Sequence, residues 1–148
     1  MSSKLPIGYI DVRVFAHATE DSEKVLEAIR NLLPSELSDT AVFQKTQLTG
    51  HHGNSIILFE TKLEDKKVLP DVLKKIGAGL TSLDKTQLKE NLKLHLEKRN
   101  LYLRFDKQFA FKEEVRFSQN DPIHFKIHFK NMKFEEIMNW CMDMGLLP

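Results

Sequence analysis

The segment Leu101-Tyr102-Leu103-Arg104-Phe105-Asp106-Lys107-Gln108 alternates apolar and polar side chains. Alternate side chains of a β-strand point to opposite faces, so one face of this strand would be apolar. The opposite face would carry an aromatic ring, a guanidinium and a carboxylate. Such a strand can pack on a hydrophobic core and offer a ligand-binding surface to solvent. An ordinary amphipathic strand with a solvated charge pair explains the same pattern. Other segments of the chain are therefore needed to distinguish a ligand-binding face from a solvated one.

Hydrophobic periodicity along the chain predicts the element order β-α-β-β-α-α-β-β-β. Thr19 is the expected N-cap of the first helix, and Pro34 is expected to end it. Hairpin-length connections favour an α+β fold in which helices cover one face of an antiparallel or mixed sheet. The predicted strands cover about 7–17, 40–48, 54–63, 101–110, 115–118 and 123–129, and the predicted helices begin near 19, 68, 82 and 133.

Apolar residues at strand or helix spacing predict the core. The polar residues of the last strand, His124, Lys126 and His128, would line the face that points away from it. The predicted core comprises Ile10, Val12, Val14 and Ala16 of the first strand, Val25, Ala28, Ile29 and Leu32 of the first helix, Ile56 and Leu58 of the third strand with Ile57 and Phe59 as further candidates, Val68, Leu69, Val72, Leu73 and Ile76 of the second helix, Leu88, Leu92 and Leu96 of the third helix, and Ile123, Phe125, Ile127 and Phe129 of the last strand.

Four segments together resemble a small archaeal family usually described as predicted exosome-associated RNA-binding proteins. They are His17-Ala18-Thr19-Glu20-Asp21, Thr49-Gly50-His51-His52-Gly53-Asn54-Ser55, the strand from Leu101 to Gln108, and Asn120-Asp121-Pro122-Ile123. The resemblance covers about residues 7–130. It implies a fold similar to that of the large-subunit ribosomal protein that binds five-S RNA, with RNA as the ligand. The chain departs from the family at Lys112-Glu113-Glu114, where a glycine is expected in the turn.

The net charge of +1 is low for a protein that binds nucleic acid, but the charge is unevenly distributed. Residues 1–41 and 134–148 each carry a net charge of −3, whereas residues 85–133 carry +6. A polyanion would therefore be attracted to the second half of the fold. A basic solvated face balanced by acidic ends accounts for the same distribution.

A non-catalytic RNA-binding module, accessory to RNA processing or degradation, is the functional hypothesis that these patterns favour. On an open outer sheet face, Tyr102 would stack on a base, and Arg104 would bind a phosphate or stack on a base. Lys107, Lys126 and Lys130 would attract the RNA backbone. The expected partners are RNA and RNA-processing proteins.

The turn that contains His51, His52 and Asn54 is a second candidate RNA contact. It offers imidazoles, an amide and backbone donors that its two glycines leave accessible to phosphate. Imidazoles gain charge as the pH falls, so binding at this turn should strengthen toward pH 6.

No catalytic or metal-binding motif is recognisable among the six histidines and the single cysteine. A general base needs a positioned partner, and no serine or cysteine lies in a triad context. The adjacent His51 and His52 would diverge in direction, and no third ligand has motif spacing. Strand alternation explains His124 and His128 without a ligand. The sequence therefore predicts that the protein is not an enzyme and uses no cofactor or metal.

The last predicted helix, about 133–146, is apolar over an arc of roughly 220°, about twice the width that packing on one sheet needs. The additional apolar surface could form a homodimer contact, or the helix could lie deeply between the sheet and a neighbouring helix. The rival functional hypothesis is therefore a structural or protein-interaction subunit that acts through this helix.

Length and composition predict one domain over residues 1–148, with 131–148 as a C-terminal helical extension. No apolar run approaches the roughly 20 residues that a membrane-spanning helix needs. The single cysteine, Cys141, excludes an internal disulfide and is typical of a reducing compartment. We therefore expect a cytoplasmic protein without membrane association.

Overall fold

The strands form one antiparallel sheet in the computed structural model, which describes residues 6–148. The strands are β1 Ile7–Ala16, β2 Gln44–Thr49, β3 Ser55–Leu63, β4 Leu96–Glu97, β5 Asn100–Phe105 and β6 Ile123–Phe129. Their order in the sheet is β2-β3-β1-β6-β5-β4, so β1 and β6 pair at its centre. The helices are α1 Ser22–Asn31, α2 Ser35–Ser38, α3 Leu69–Gly79, α4 Ser82–Glu90, α5 Leu92–His95, α6 Lys107–Phe111 and α7 Phe134–Asp143.

Strand alternation gives the sheet an apolar inner face and a polar outer face. The apolar side chains of β1, β5 and β6 are buried on the inner face, and the buried faces of the helices pack into the same core. This arrangement confirms the predicted α+β fold. No helix within residues 6–148 is long and apolar enough to cross a membrane. The helices contribute Val25, Ala28 and Ile29 from α1, Leu69, Val72, Leu73 and Ile76 from α3, and Ile137 and Cys141 from α7.

The C-terminal segment is an integral part of this core. Leu146 and Leu147 are buried beyond the end of α7. A Cβ atom at Gly77 of α3 would collide with the backbone carbonyl of Gly145, so the helix and the C-terminal turn approach closely. Trp140 packs edge to face on Phe129 with ring centroids 5.8 Å apart. Packing within the molecule therefore accounts for most of the wide apolar arc of the last helix.

The predicted strand over 101–110 is too long, because β5 ends at Phe105. The Asp106 carboxylate accepts a hydrogen bond from the backbone N–H of Phe109 and caps α6. Lys107 and Gln108 consequently belong to a helix and not to the outer face of the strand. The predicted strand over 115–118 is reduced to one isolated bridge between Phe117 and Phe105.

Two helix predictions also need correction. Asp21, not Thr19, is the N-cap of α1, since its carboxylate accepts from the backbone N–H of Glu23. The row of leucines at spacing four does not form one helix, because α4 ends at Glu90 and Leu96 starts the short strand β4.

The sequence pattern predicted that Ile56 and Leu58 of the third strand face the core, with Ile57 and Phe59 as further candidates, but the alternation in the structure is the opposite one. Phe59 pairs with Val14 of β1, whose side chain is buried on the inner face. Phe59 and Ile57 therefore point toward the core, and Ile56 and Leu58 are partly exposed on the other face. A run of four apolar residues gives no alternation from which the buried face could be read.

The turn after α6 holds Glu113 in the left-handed backbone region, with φ at +65°. This position lies in the segment where the related family is expected to have a glycine. A residue with a Cβ pays a steric penalty in this conformation, and glycine does not.

We therefore predict that Glu113→Gly stabilises the protein. Relief of the steric penalty exceeds the added unfolded-chain entropy, for a net gain of about 0.5–1 kcal/mol. Urea unfolding measures the change. Glu114→Gly is the matched control, because Glu114 does not have a positive φ, and it should be neutral or destabilising. Equal effects of the two substitutions would contradict the argument.

Candidate nucleic-acid interface

The outer face of β1, β5 and β6 is open to solvent. Its side chains, among them Tyr102, Arg104, His124 and Lys126, are partly exposed, whereas their immediate neighbours along each strand are buried. The expected open sheet face is therefore present in the described part of the chain.

Strand register arranges the outer side chains in three rows that run across the sheet. Neighbouring strands lie about 4.8 Å apart, so successive members of a row are close neighbours. The first row is Arg104, His124, Arg13 and Glu60, the second is Tyr102, Lys126, Asp11 and Lys62, and the third is Asn100, His128 and Tyr9.

Positive charge predominates on the β5 and β6 side of this face. Arg104 and Lys126 lie there without an acidic neighbour in their own strands. The two carboxylates of the rows, Asp11 and Glu60, lie on β1 and β3. Within residues 6–148, no ion pair forms between any of these rows' charged side chains. The face thus keeps cationic groups available to an anionic ligand.

His124 responds to this electrostatic environment. Partial burial, together with the positive charges of Arg13 and Arg104, lowers the pKa of His124 below its ordinary value, and the carboxylate of Asp121 opposes the shift. The lowered pKa favours the neutral imidazole near neutral pH, between two permanent cations.

The third row adds an aromatic cluster that sequence reasoning missed. The Tyr9 and His128 rings are stacked with centroids 4.8 Å apart and an interplanar angle of 15°. The Lys62 ammonium lies 4.3 Å from the centroid of the Tyr9 ring. A shift in the strand pairing between Ile7 and Tyr9 interrupts the alternation that would have signalled this residue.

The structure brings together only some of the predicted RNA-binding residues. Tyr102, Arg104 and Lys126 share the outer face as the alternation predicts. Lys130 follows β6, and its backbone N–H donates to the carbonyl of Pro6.

His51, His52 and Asn54 lie apart from that group, at the exposed tip of the hairpin formed by β2 and β3. This hairpin is on the opposite side of β1 from β5 and β6. The two imidazole rings contact each other edge to face at 4.9 Å. Gly53 has φ at +79°, which explains the need for glycine in this turn.

Lys107 is not on the outer face, and its side chain is only 10% exposed. Its Nζ donates to the carbonyl of Phe15 at 2.6 Å, to Oε1 of Glu20 at 3.0 Å and to Oδ2 of Asp121 at 2.7 Å. Oδ2 of Asp121 also lies 3.0 Å from Nε2 of His17. We call these four charged or titratable side chains, with Lys107 at their centre, the lysine clasp.

The lysine clasp joins three of the four segments that carry the family resemblance. His17 and Glu20 come from the first segment, Lys107 from the third and Asp121 from the fourth. Ligand atoms of His17, Glu20 and Asp121 lie within 4.8 Å of one another, so these groups could hold a cation. The Lys107 ammonium already bonds both carboxylates, and a metal ion would have to compete with it. The geometry therefore assigns the clasp a structural role.

Cys141 offers no nucleophile to the outer face. The side chain is fully buried in the core, and burial raises the pKa of its thiol to about 12. The thiolate required for nucleophilic attack is correspondingly scarce.

Comparison with known proteins places the chain in a family. The chain belongs to the family described as RNA binding, whose family model matches residues 9–129. It is 35% identical over 133 residues to the RNA-binding protein PAB1135 of Pyrococcus abyssi, a match that covers 88% of this chain and 86% of that protein.

Solved structures of DUF54 proteins have a similar fold. The structure of AF2318 from Archaeglobus fulgidus matches with a TM-score of 0.77 and 26% identity, over 93% of this chain and 99% of that one. The structure of Mth689 from Methanothermobacter thermautotrophicus matches with a TM-score of 0.74 and 26% identity, over 96% of this chain and 98% of that one.

The lysine clasp gives a testable contribution to stability. Lys107→Met removes the donor from one backbone carbonyl and two carboxylates, and we predict a destabilisation of about 1–3 kcal/mol. Chemical denaturation measures it. Lys112→Met, which removes an exposed lysine at the end of the same helix, is the matched control and should change stability little. Equal stability of the two variants would show that the clasp does not hold the fold together.

Proposed function

We propose that the protein is a non-catalytic RNA-binding module that holds RNA on the outer face of its sheet. The observation that carries the proposal is the juxtaposition of Tyr102, Arg104 and Lys126 on an open face, where no ion pair within residues 6–148 neutralises the two cations. Membership of the RNA-binding family supports it.

Each group on this face has a role that its chemistry suits. The Tyr102 ring can stack on an unpaired base, which is worth about 1–3 kcal/mol per base. The planar guanidinium of Arg104 can donate two parallel hydrogen bonds to a phosphate. Lys126, beside Tyr102 in the second row, supplies longer-range attraction to the backbone. Stacking requires bases that are not paired, so single-stranded RNA fits this face best.

The hairpin tip with His51, His52 and Asn54 is proposed as a second RNA contact. Its exposed imidazoles and the Asn54 amide suit a phosphate, although the backbone N–H groups of Gly50 and Gly53 donate to carbonyls within the turn. Its position on the far edge of the sheet would let a longer RNA reach it. Lys130, at the end of β6, would extend the cationic surface.

We infer an accessory role in RNA processing or degradation, with RNA-processing proteins, including those of the exosome, as partners. A binding face without a recognised nucleophile fits a protein that delivers RNA to an enzyme. The buried Cys141 is consistent with a reducing compartment, and on that ground we propose a cytoplasmic location.

The alternative to an RNA-binding module is a structural or protein-interaction subunit that self-associates through α7. Most of its apolar side chains pack within the molecule, and Met142, at 37% exposure, is the large exposed one among the described residues of this helix. No specific observation therefore favours the homodimer over the RNA-binding role, and light scattering would detect a dimer directly.

RNA binding at the outer face predicts that Arg104→Ala/Lys126→Ala weakens affinity for a short single-stranded RNA. Each lost phosphate contact should also reduce the slope of log affinity against log salt concentration by about 0.7. Fluorescence anisotropy at several salt concentrations measures both quantities.

The matched control removes two lysines from the helical side of the molecule, with Lys74→Ala/Lys75→Ala in exposed positions of α3. This variant should retain the wild-type affinity and salt slope. An equal loss in both double variants would mean that net charge, and not the outer face, determines binding. Absence of salt-dependent RNA binding by the wild-type protein would refute the proposed function.

A further inference from the structure

We propose that Arg104, His124 and Arg13 form a subsite for one backbone phosphodiester, which His124 binds as the imidazolium. This inference rests on the proposed function and makes it more specific. It adds Arg13 and His124 to the binding face and ties part of RNA binding to proton uptake.

The geometry of the first row supports this subsite. His124 pairs with Arg104 on one side and with Arg13 on the other, and all three side chains project from the outer face. The two arginines are two strand spacings apart, or roughly 10 Å between backbones. Guanidinium groups from both sides can close over a phosphate that sits above the imidazole.

Both arginines of this row lack the partners that other arginines of the chain have. Arg30 donates to the carbonyl of Ser38, Arg99 to the amide oxygen of Asn131, and Arg116 to the carboxylate of Glu114. No such hydrogen bond or ion pair within residues 6–148 engages the guanidinium of Arg13 or Arg104.

Glu60 faces Arg13 from β3 but does not form an ion pair with it. Two guanidiniums that have no ion pair within residues 6–148, one on each side of His124, form a ready receptor for a multivalent oxyanion.

The groups that face His124 come from every side. Arg104 faces it from β5 and Arg13 from β1, Lys126 lies two residues along on its own strand, and Asp121 precedes that strand. The Asp121 carboxylate is already bound to Lys107 and His17 in the lysine clasp. Cations therefore dominate around the imidazole until an anion arrives.

A bound phosphodiester would offset the excess of positive charge around His124. Burial and the two guanidiniums lower the pKa of His124 in the free protein, and a negative charge between them would raise it. Because binding and protonation stabilise each other, RNA binding takes up a proton at this site. Affinity should therefore rise as pH falls, by up to about tenfold per pH unit between the free and bound pKa values.

A phosphodiester is the ligand that we assign, in preference to a terminal phosphate. The second row places Tyr102 beside the same subsite, where it can stack on a base attached to the bound phosphate. A chain of nucleotides can engage both rows at once, whereas an isolated phosphate engages only the first.

The test compares RNA affinity at pH 6 and pH 8, at constant ionic strength, with a short single-stranded RNA that lacks terminal phosphates. We expect the wild-type affinity to be on the order of tenfold higher at pH 6. His124→Gln, which keeps a neutral hydrogen-bonding side chain, should lose this difference. The matched control His95→Gln removes the imidazole of α5, to which the proposed function gives no role, and should keep it. Retention of the difference by His124→Gln, or its loss in His95→Gln, would overturn the proposal.

NMR titration of the His124 imidazole separates this proposal from the proposed function. Its pKa should rise when the RNA is added, and also with dimethyl phosphate, a minimal phosphodiester. Salt-dependent RNA binding with an unchanged His124 pKa would overturn the subsite and leave RNA binding intact. A response to dimethyl phosphate without RNA binding would support the subsite and refute the RNA-binding role. A response to inorganic phosphate alone, or to none of these probes, would overturn the phosphodiester assignment.

Discussion

The antiparallel pairing of β1 with β6 is the constraint on which both faces of the molecule depend. Its register opposes Val12 to Phe125 on the buried face and, one residue further along, Arg13 to His124 on the outer face. A slip by one residue would move every side chain of a strand to the other face, at the cost of the apolar core. Burial of the inner residues therefore fixes the positions of the outer ones. The rows of polar side chains across the sheet follow from the packing of the core.

The lysine clasp complements this pairing at one end of the sheet. Lys107 lies two residues after the end of β5, Asp121 lies just before β6, and Phe15 is near the end of β1. A single ammonium thus holds the ends of three adjacent strands in their mutual positions. Asp121 adopts a positive φ of 50°, an uncommon conformation that its contacts with Lys107 and His17 help to stabilise. Three segments that carry the family resemblance are distant in sequence, and their contact in the clasp gives a structural reason why they occur together.

Alternation within one strand is sufficient to predict that Tyr102 and Arg104 share a polar face, because the period of a strand depends on local sequence alone. It cannot reveal Arg13 as the neighbour of His124, because the order of strands in a sheet is set by contacts between distant segments. The misplacement of Lys107 has a different cause. A strand and the first turn of a helix can both have polar residues after Phe105, and the cap formed by Asp106 decides between them. The individual polar residues are thus predictable, but their assembly into rows is a property of the tertiary fold.

The same separation of faces explains how a chain with a net charge of +1 can present a surface suited to a polyanion. The acidic residues of α1 and α7, such as Glu23, Glu27 and Glu135, are exposed on the helices that cover the inner face. Arg104 and Lys126 are on the outer face of the sheet. The first two rows of the outer face carry four cations and two carboxylates, whereas α7 carries three acidic residues and no basic one. A polyanion is therefore attracted to the sheet more than to α7, and the distribution of charge says more than the total.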